Sequence, residues 1–317
     1  MKNNKIVILG TGGTIAGTAA AAADNLGYTA AQIGINQLVA ALPRRDDLPL
    51  ALVTEQVAQI DSKDMDFGVW MQLASRVKHW LNQSDVQGIV ITHGTDTLEE
   101  TAWFLQTVFN PSKPVVLTCA MRPATALAPD GPQNIVDSIA VAAHQGARGV
   151  SVVCAGVIHG AGDVQKVHTY RLDAFSSGDA GPLGYVEEGR LRMLRHWPLM
   201  AGDRVGAGSG NVMKYADAAL WPRVEIVMNH VGAGAAVVDA LVAAGVNGLV
   251  VAGTGNGTLH HELERALLEA QAGGVRVVRA TRCLNGQVLP KAGDLLPDSQ
   301  GLSPVKARVS LLLSLMD

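Results

Sequence analysis

Residues 5–14 read KIVILGTGGT and residues 88–97 read GIVITHGTDT. In both, a run of branched apolar residues without polar alternation stops abruptly at glycine and threonine. A strand covered by helices on both faces has this composition, because neither face meets water. Working outward from these two stretches, Leu50–Ile60, Val115–Cys119 and Val150–Val157 read as further strands. Between them lie helical patterns over Ile33–Ala41, Asp66–Asn82, Leu98–Phe109 and Pro132–Gln145. In the second of these, Phe67, Trp70, Met71, Leu73, Ala74 and Val77 share one face. In the third, Glu99 and Glu100 sit at the positive end of the helix dipole. Such alternation predicts an α/β fold with a mostly parallel, doubly wound sheet. Ala16–Ala31 has no period and reads as a flexible loop beside the site, and Gly178–Gly189 reads as small hairpins at the sheet edge.

The pattern weakens between about 190 and 222, where Gly202, Gly206, Gly208 and Gly210 crowd together, and then resumes. Val224–Met228, Leu249–Ala252 and Val275–Arg279 read as strands, and Gly234–Ala244 and His260–Gln271 as helices. Val305–Leu315 closes the chain as helix or strand, its Val309–Met316 part fitting a buried strand. The expected organisation is a larger N-terminal domain over 1–195, a linker over 196–221 and a smaller C-terminal α/β domain over 222–317.

Composition narrows the function. Of the 317 residues, 48% are hydrophobic but only 4% aromatic and 17% charged, so the core is aliphatic and the surface poor in charge. An oligomer with large subunit contacts reconciles these figures. The net charge of −3 is scattered, with no basic patch interleaved with aromatics, which disfavours nucleic acid and anionic membrane as partners. No apolar run reaches the ~18 residues of a membrane span. Lys2 and Lys5 precede a polar GTGGT turn where a signal peptide would stay apolar, so a cytoplasmic location is expected, or a periplasmic one if a leader was removed. Cys119, Cys154 and Cys283 lie far apart and read as small buried hydrophobes rather than as a metal site or disulfide framework.

Three loops share one plan, an apolar strand ending where glycine alternates with threonine or asparagine: Gly10–Thr14, Gly94–Thr97 and Gly253–Gly257. The carboxyl ends of strands are where open α/β sheets bind ligands, and glycine-rich turns there expose N–H groups suited to a carboxylate or an oxyanion. The glycines at 10, 12, 13 and 17 satisfy no dinucleotide fingerprint, and there is no P-loop, HExxH or GxSxG. No organic cofactor and no metal is therefore expected. Read alone, His-Gly-Thr-Asp at 93–96 suits a helix N-cap as well as it suits a nucleophile, and Lys166 suits a solvated loop.

Taken together the loops are more specific. VILGTGGTIAG at 7–17, IDSKDM at 60–65, GVWMQLA at 68–74, VITHGTDTLEETAWFL at 90–105, CAMRPATALAPDGPQN at 119–134, AGTGNG at 252–257 and SPVKARVSLLL at 303–313 resemble the bacterial L-asparaginases of the homotetrameric asparaginase/glutaminase family. The likeness runs end to end. It implies hydrolysis of L-asparagine to L-aspartate and ammonia by a threonine nucleophile through an acyl-enzyme. The family's catalytic residues fall on Thr11, Tyr28, Thr95, Asp96 and Lys166, with Thr11 as nucleophile and Thr95 as its partner; which hydroxyl attacks first stays open. Substrate contacts fall on Ser62, Lys63 and Gly94, and on Asn256, donated by a neighbouring subunit in a tetramer built as a dimer of intimate dimers. Gly10, Gly12 and Gly94 are expected to be glycine because a side chain would crowd the substrate. Lys63 stands where many exported members carry Gln or Glu. Between Thr281 and Ser303 the family's substrate-binding glutamate is missing, and Asp294 and Asp298 are the only carboxylates there. A dual glutaminase-asparaginase is the alternative enzyme, and a non-catalytic amino-acid sensor the alternative outside catalysis.

Overall fold

The computed structural model describes residues 4–42, 51–198 and 221–316. Packing divides the chain into two compact units, Met1–Gly202 and Asp203–Asp317. Most of the linker expected over 196–221, from 199 to 220, lies outside the described residues.

The first unit runs β1 (Lys5–Gly12), α1 (Ile35–Ala40), β2 (Ala51–Ile60), α2 (Phe67–Leu81), β3 (Val86–Thr92), α3 (Leu98–Phe109), β4 (Pro114–Thr118), α4 (Gly131–Ala143), β5 (Gly149–Cys154), β6 (Val157–Gly160), β7 (Gln165–Lys166), β8 (Phe175–Ser176), β9 (Gly184–Glu187) and β10 (Arg190–Met193). Eight strands form one sheet in the order β10-β9-β6-β5-β4-β3-β1-β2. From β5 to β2 all neighbours are parallel, whereas β6, β9 and β10 extend the sheet antiparallel. Ile6, Ile8, Val90 and Val116 from the strands pack with Ile135 and Ile139 of α4 as a continuous aliphatic core, as the unbroken apolar runs require.

The order 5-4-3-1-2 reverses direction between β1 and β3. Such a switch point, at the carboxyl ends of the strands, is where open α/β sheets bind ligands. TGGT follows from β1 and HGTD from β3, so the fold brings the two threonine loops together at this point.

Two elements differ from the sequence expectation. Val150–Val157 is not one strand: β5 ends at Cys154, Ala155 and Gly156 take φ of 49° and 74°, and β6 returns antiparallel with Cys154 opposite Val157. The apolar run continues across the reversal, so hydropathy does not register it. The edge hairpin is β9–β10, turned by Glu188 and Gly189 at φ 50° and 72°, and lies a few residues beyond the expected start; Gly178–Ala180 is a single 3-10 turn.

The second unit carries β11 (Val224–Met228), α5 (Ala236–Ala243), β12 (Gly248–Gly253), α6 (His261–Ala272), β13 (Arg276–Thr281) and α7 (Pro304–Ser314) around a parallel sheet of order β11-β12-β13. The closing segment is a helix, not a strand. Val309, Leu311, Leu312 and Leu313 are all buried in it, so its amphipathic period is blurred. No helix among the described residues is long and apolar enough to cross a membrane.

Candidate active site

β1 ends in Thr11 and Gly12, and a 3-10 turn over Thr14–Ala16 follows. Gly12 has φ +101°, and a Cβ there would stand 2.5 Å from the Ile60 carbonyl oxygen of β2. Gly10 is bounded likewise by Gln56 and Ile35, so the neighbouring strand and helix demand these glycines before any substrate does. At Gly13 (φ +81°) a Cβ would lie 2.3 Å from the Gly94 Cα, and at Gly94 it would lie 2.4 Å from the Ser62 hydroxyl oxygen. The turns following β1 and β3 therefore pack backbone against backbone, with the Ser62 side chain from the turn after β2 against Gly94, and Thr14 and Thr95 each adjoin that contact.

Tyr28 hydrogen-bonds Thr14, Oη to Oγ1, at 2.6 Å. Thr11, buried at 1% exposure, donates its hydroxyl to the Thr92 carbonyl at 2.9 Å. The tyrosine thus meets a hydroxyl that the sequence had not singled out, since the resemblance was carried onto Thr11, the first threonine of TGGT. The segment bearing Tyr28 is closed at its base by paired hydrogen bonds between Thr18 and Thr29. It is held to the loop after β4 by Ala19 N–H on Thr125 Oγ1 (2.8 Å) and Leu127 N–H on the Ala22 carbonyl (3.1 Å).

Lys166 Nζ donates to Thr95 Oγ1 at 2.8 Å and to Asp96 Oδ1 at 2.6 Å. The two-residue strand β7 pairs with β8, and the Lys166 N–H donates to Glu99 at 3.2 Å, which fixes the lysine backbone over the start of α3. Residues 70 apart in sequence are joined here, which no local pattern could announce. Neither Thr95 nor Asp96 caps α3; the N-cap position belongs to Thr97, whose hydroxyl donates to the Ser62 carbonyl at 2.8 Å.

Ser62 is buried at 2% exposure, and its hydroxyl oxygen accepts the Asp96 N–H at 3.1 Å. Lys63 is exposed and paired with Asp61 at 3.0 Å; that hydrogen bond raises the pKa of its ammonium. Gly94 is oriented from behind: His93 Nδ1 faces its carbonyl at 2.7 Å, His93 Nε2 faces Thr101 at 3.0 Å, and Thr101 accepts from Trp70 Nε1 at 3.0 Å. A carbonyl only accepts, so the Nδ1–H tautomer is the one that satisfies this chain. Burial lowers the His93 pKa to about 4, so the ring is neutral near pH 7.

In the second unit Asn256 spends both ends of its amide on Leu289, donating to its carbonyl at 3.0 Å and accepting its N–H at 2.7 Å. Of the carboxylates between Thr281 and Ser303, Asp294 is held in a largely buried bidentate pair with Arg279, which lowers its pKa, and Asp298 accepts the Gln300 N–H. Asp294 is thus tied back to β13, and Asp298 is occupied within the loop itself. Among the described residues no three His, Cys, Asp or Glu side chains gather as a metal-binding group.

Fold and site together define a mostly parallel α/β protein with threonine hydroxyls, a lysine and an aspartate gathered at the switch point of its sheet. Comparison with known proteins makes this specific. Residues 5–199 match the model of the N-terminal asparaginase domain, and residues 223–317 that of the glutaminase/asparaginase C-terminal domain. The chain is 38% identical to L-asparaginase 2 of Escherichia coli over 98% of its own length and 88% of that protein, and 37% identical to the glutaminase-asparaginase of Pseudomonas fluorescens over 98% and 86%. The crystal structure of a probable cytoplasmic L-asparaginase from Campylobacter jejuni superposes with a TM-score of 0.91 at 37% identity, covering 99% of this chain and 95% of that one. The chain belongs to the asparaginase/glutaminase-asparaginase family. Its relatives include both cytoplasmic and periplasmic members.

Proposed function

We propose that the protein hydrolyses L-asparagine to L-aspartate and ammonia, with Thr14 as nucleophile. The observation that carries this is the pairing of Thr14 with Tyr28 beside the Thr95–Lys166–Asp96 cluster. A threonine hydroxyl needs assistance to attack an amide. Tyr28 is in position to accept the Thr14 proton as it gives its own hydroxyl proton to the departing nitrogen, which leaves as ammonia. Attack on the side-chain amide carbon gives a tetrahedral intermediate, ammonia leaves, and water cleaves the resulting acyl-threonine. Thr95, polarised by the Lys166 ammonium, is placed to orient that water. Thr14 takes the role that the resemblance first assigned to Thr11, because the Thr11 hydroxyl is committed to a backbone carbonyl.

Ser62 supports recognition of the substrate α-carboxylate. Its oxygen accepts from Asp96 and leaves its own O–H to donate. Asp96, half exposed, supplies a negative charge for the substrate ammonium. Lys63 adds long-range attraction from outside rather than a contact. Asn256 acts as a tether for its loop, which a neighbouring subunit in a homotetramer would present to this site.

The test is steady-state ammonia release from L-asparagine and L-glutamine over a range of concentrations. One methylene distinguishes the substrates, which a pocket of this kind converts into roughly 10–200-fold in kcat/KM favouring asparagine. A ratio near one would make the protein a dual glutaminase-asparaginase, a reading that the relatives of that name also favour. Binding of aspartate without any ammonia release would replace the enzyme with a sensor.

A further inference from the structure

Cys119 and Cys154 are 35 residues apart in sequence, yet their sulfurs approach to 3.1 Å. Cys119 follows β4 and Cys154 ends β5. The two strands pair in parallel with Thr118 opposite Val153, so the next residue on each lies opposite the other. Both thiols are free and buried, at 1% and 4% exposure. Thr118 Oγ1 donates to the Val153 carbonyl at 2.8 Å. Asn134 then clamps the two chain ends together, its amide donating to the Cys119 carbonyl at 2.9 Å and accepting the Ala155 N–H at 3.0 Å.

We propose that Cys119 and Cys154 are a redox modification site that closes to an intramolecular disulfide, cross-linking the carboxyl ends of β4 and β5. A disulfide needs sulfurs about 2.05 Å apart, so closure asks for about 1 Å of approach. Because Asn134 already holds both backbones, side-chain rotation is the natural source of that movement. With hydrogen peroxide as oxidant the step balances. The Cys154 sulfur attacks one peroxide oxygen, the O–O bond breaks, and hydroxide leaves with the thiol proton as water. The Cys119 sulfur attacks the resulting sulfenic sulfur, the S–O bond breaks, and a second water leaves with the Cys119 proton. Two thiols lose two electrons, and one peroxide becomes two waters. Burial and the neighbouring thiol raise the Cys119 pKa, which keeps Cys119 a thiol and slows its reaction.

Closure removes conformational freedom from an unfolded loop of this length, and it leaves Thr14, Thr95 and Lys166 unmodified. The expected consequence is a rise in Tm with little change in turnover. The experiment compares the full chain treated with hydrogen peroxide and with dithiothreitol, each then denatured in N-ethylmaleimide and mapped by peptide mass. Peroxide should give a linked Cys119–Cys154 peptide with a Tm higher by roughly 5–10 °C, reversed by dithiothreitol. Cys154→Ser should lose both effects while keeping ammonia release within about twofold of the reduced wild type. Exposed Cys283 is the internal control. If peroxide oxidises Cys283 while Cys119 and Cys154 are both recovered alkylated, the proposal is overturned; a linked peptide with no rise in Tm equally removes the stabilising cross-link. Neither result requires the variant to fold.

Discussion

At the scale of single residues, the Thr14–Tyr28 and Thr11–Thr92 contacts separate two hydroxyls lying three positions apart. Thr14→Ala should lower kcat by at least ~10³, as loss of a nucleophile does. Thr11→Val deletes one buried hydrogen bond and should cost about 1 kcal/mol of stability, with kcat within tenfold. The opposite pattern would return the nucleophile to Thr11. Lys166→Met keeps the stem and removes the ammonium that holds Thr95 and Asp96; kcat should fall by about 10²–10⁴ with a smaller change in KM. A kcat within threefold of wild type would sink its role. His93 carries a pH prediction. Burial holds its pKa at about 4 in the fold against 6.5 in the unfolded chain, so the unfolded state takes up the proton first as pH falls. Its contribution is therefore complete above pH ~6.5, is lost between there and pH ~4, and amounts to about 3 kcal/mol. Urea unfolding from pH 7.5 to 4 should show this loss, and His93→Gln should flatten the slope over the same window.

At the scale of elements, the decisive contact is between turns. Gly13 and Gly94 touch through their backbones, so neither β1 nor β3 can vary its terminal turn alone. Gly13→Ala combines a positive φ with a Cβ inside the Gly94 backbone and should cost about 3 kcal/mol or more. Tm and ammonia release should fall together. Asp66→Ala is the contrasting case: its carboxylate caps α2 through the Val69 N–H at 2.8 Å. Losing that cap should cost about 1 kcal/mol and leave kcat unchanged. If the two variants lost activity in the same proportion to stability, the turn contact would have no special part in catalysis.

At the scale of the whole molecule, the first unit assembles the Thr14 and Thr95 groups, whereas Asn256 and its loop belong to the second. A charge-poor surface with Val231, Leu289 and Leu295 exposed fits a chain that buries more area on self-association. Sedimentation should give a tetramer. Dilution to the protomer should reduce specific activity at least tenfold, since the neighbour's loop then leaves the site; a fully active monomer would refute the shared-site reading.

The amino-acid sequence alone determined the α/β class and nearly every element of it. An unalternated run such as Ile6–Leu9 has only one stable use, inside a sheet covered on both faces. It also grouped Thr95, Asp96 and Lys166, which the fold joins by hydrogen bonds, though through resemblance to a family rather than through any local pattern. Tertiary structure alone decided which TGGT hydroxyl meets Tyr28, because two threonines three residues apart on a glycine-bent turn differ only in what lies opposite them. It decided that Val150–Val157 reverses at Ala155, since hydropathy carries no record of φ. It also brought Cys119 against Cys154, whose separation along the chain says nothing about two neighbouring parallel strands ending in register.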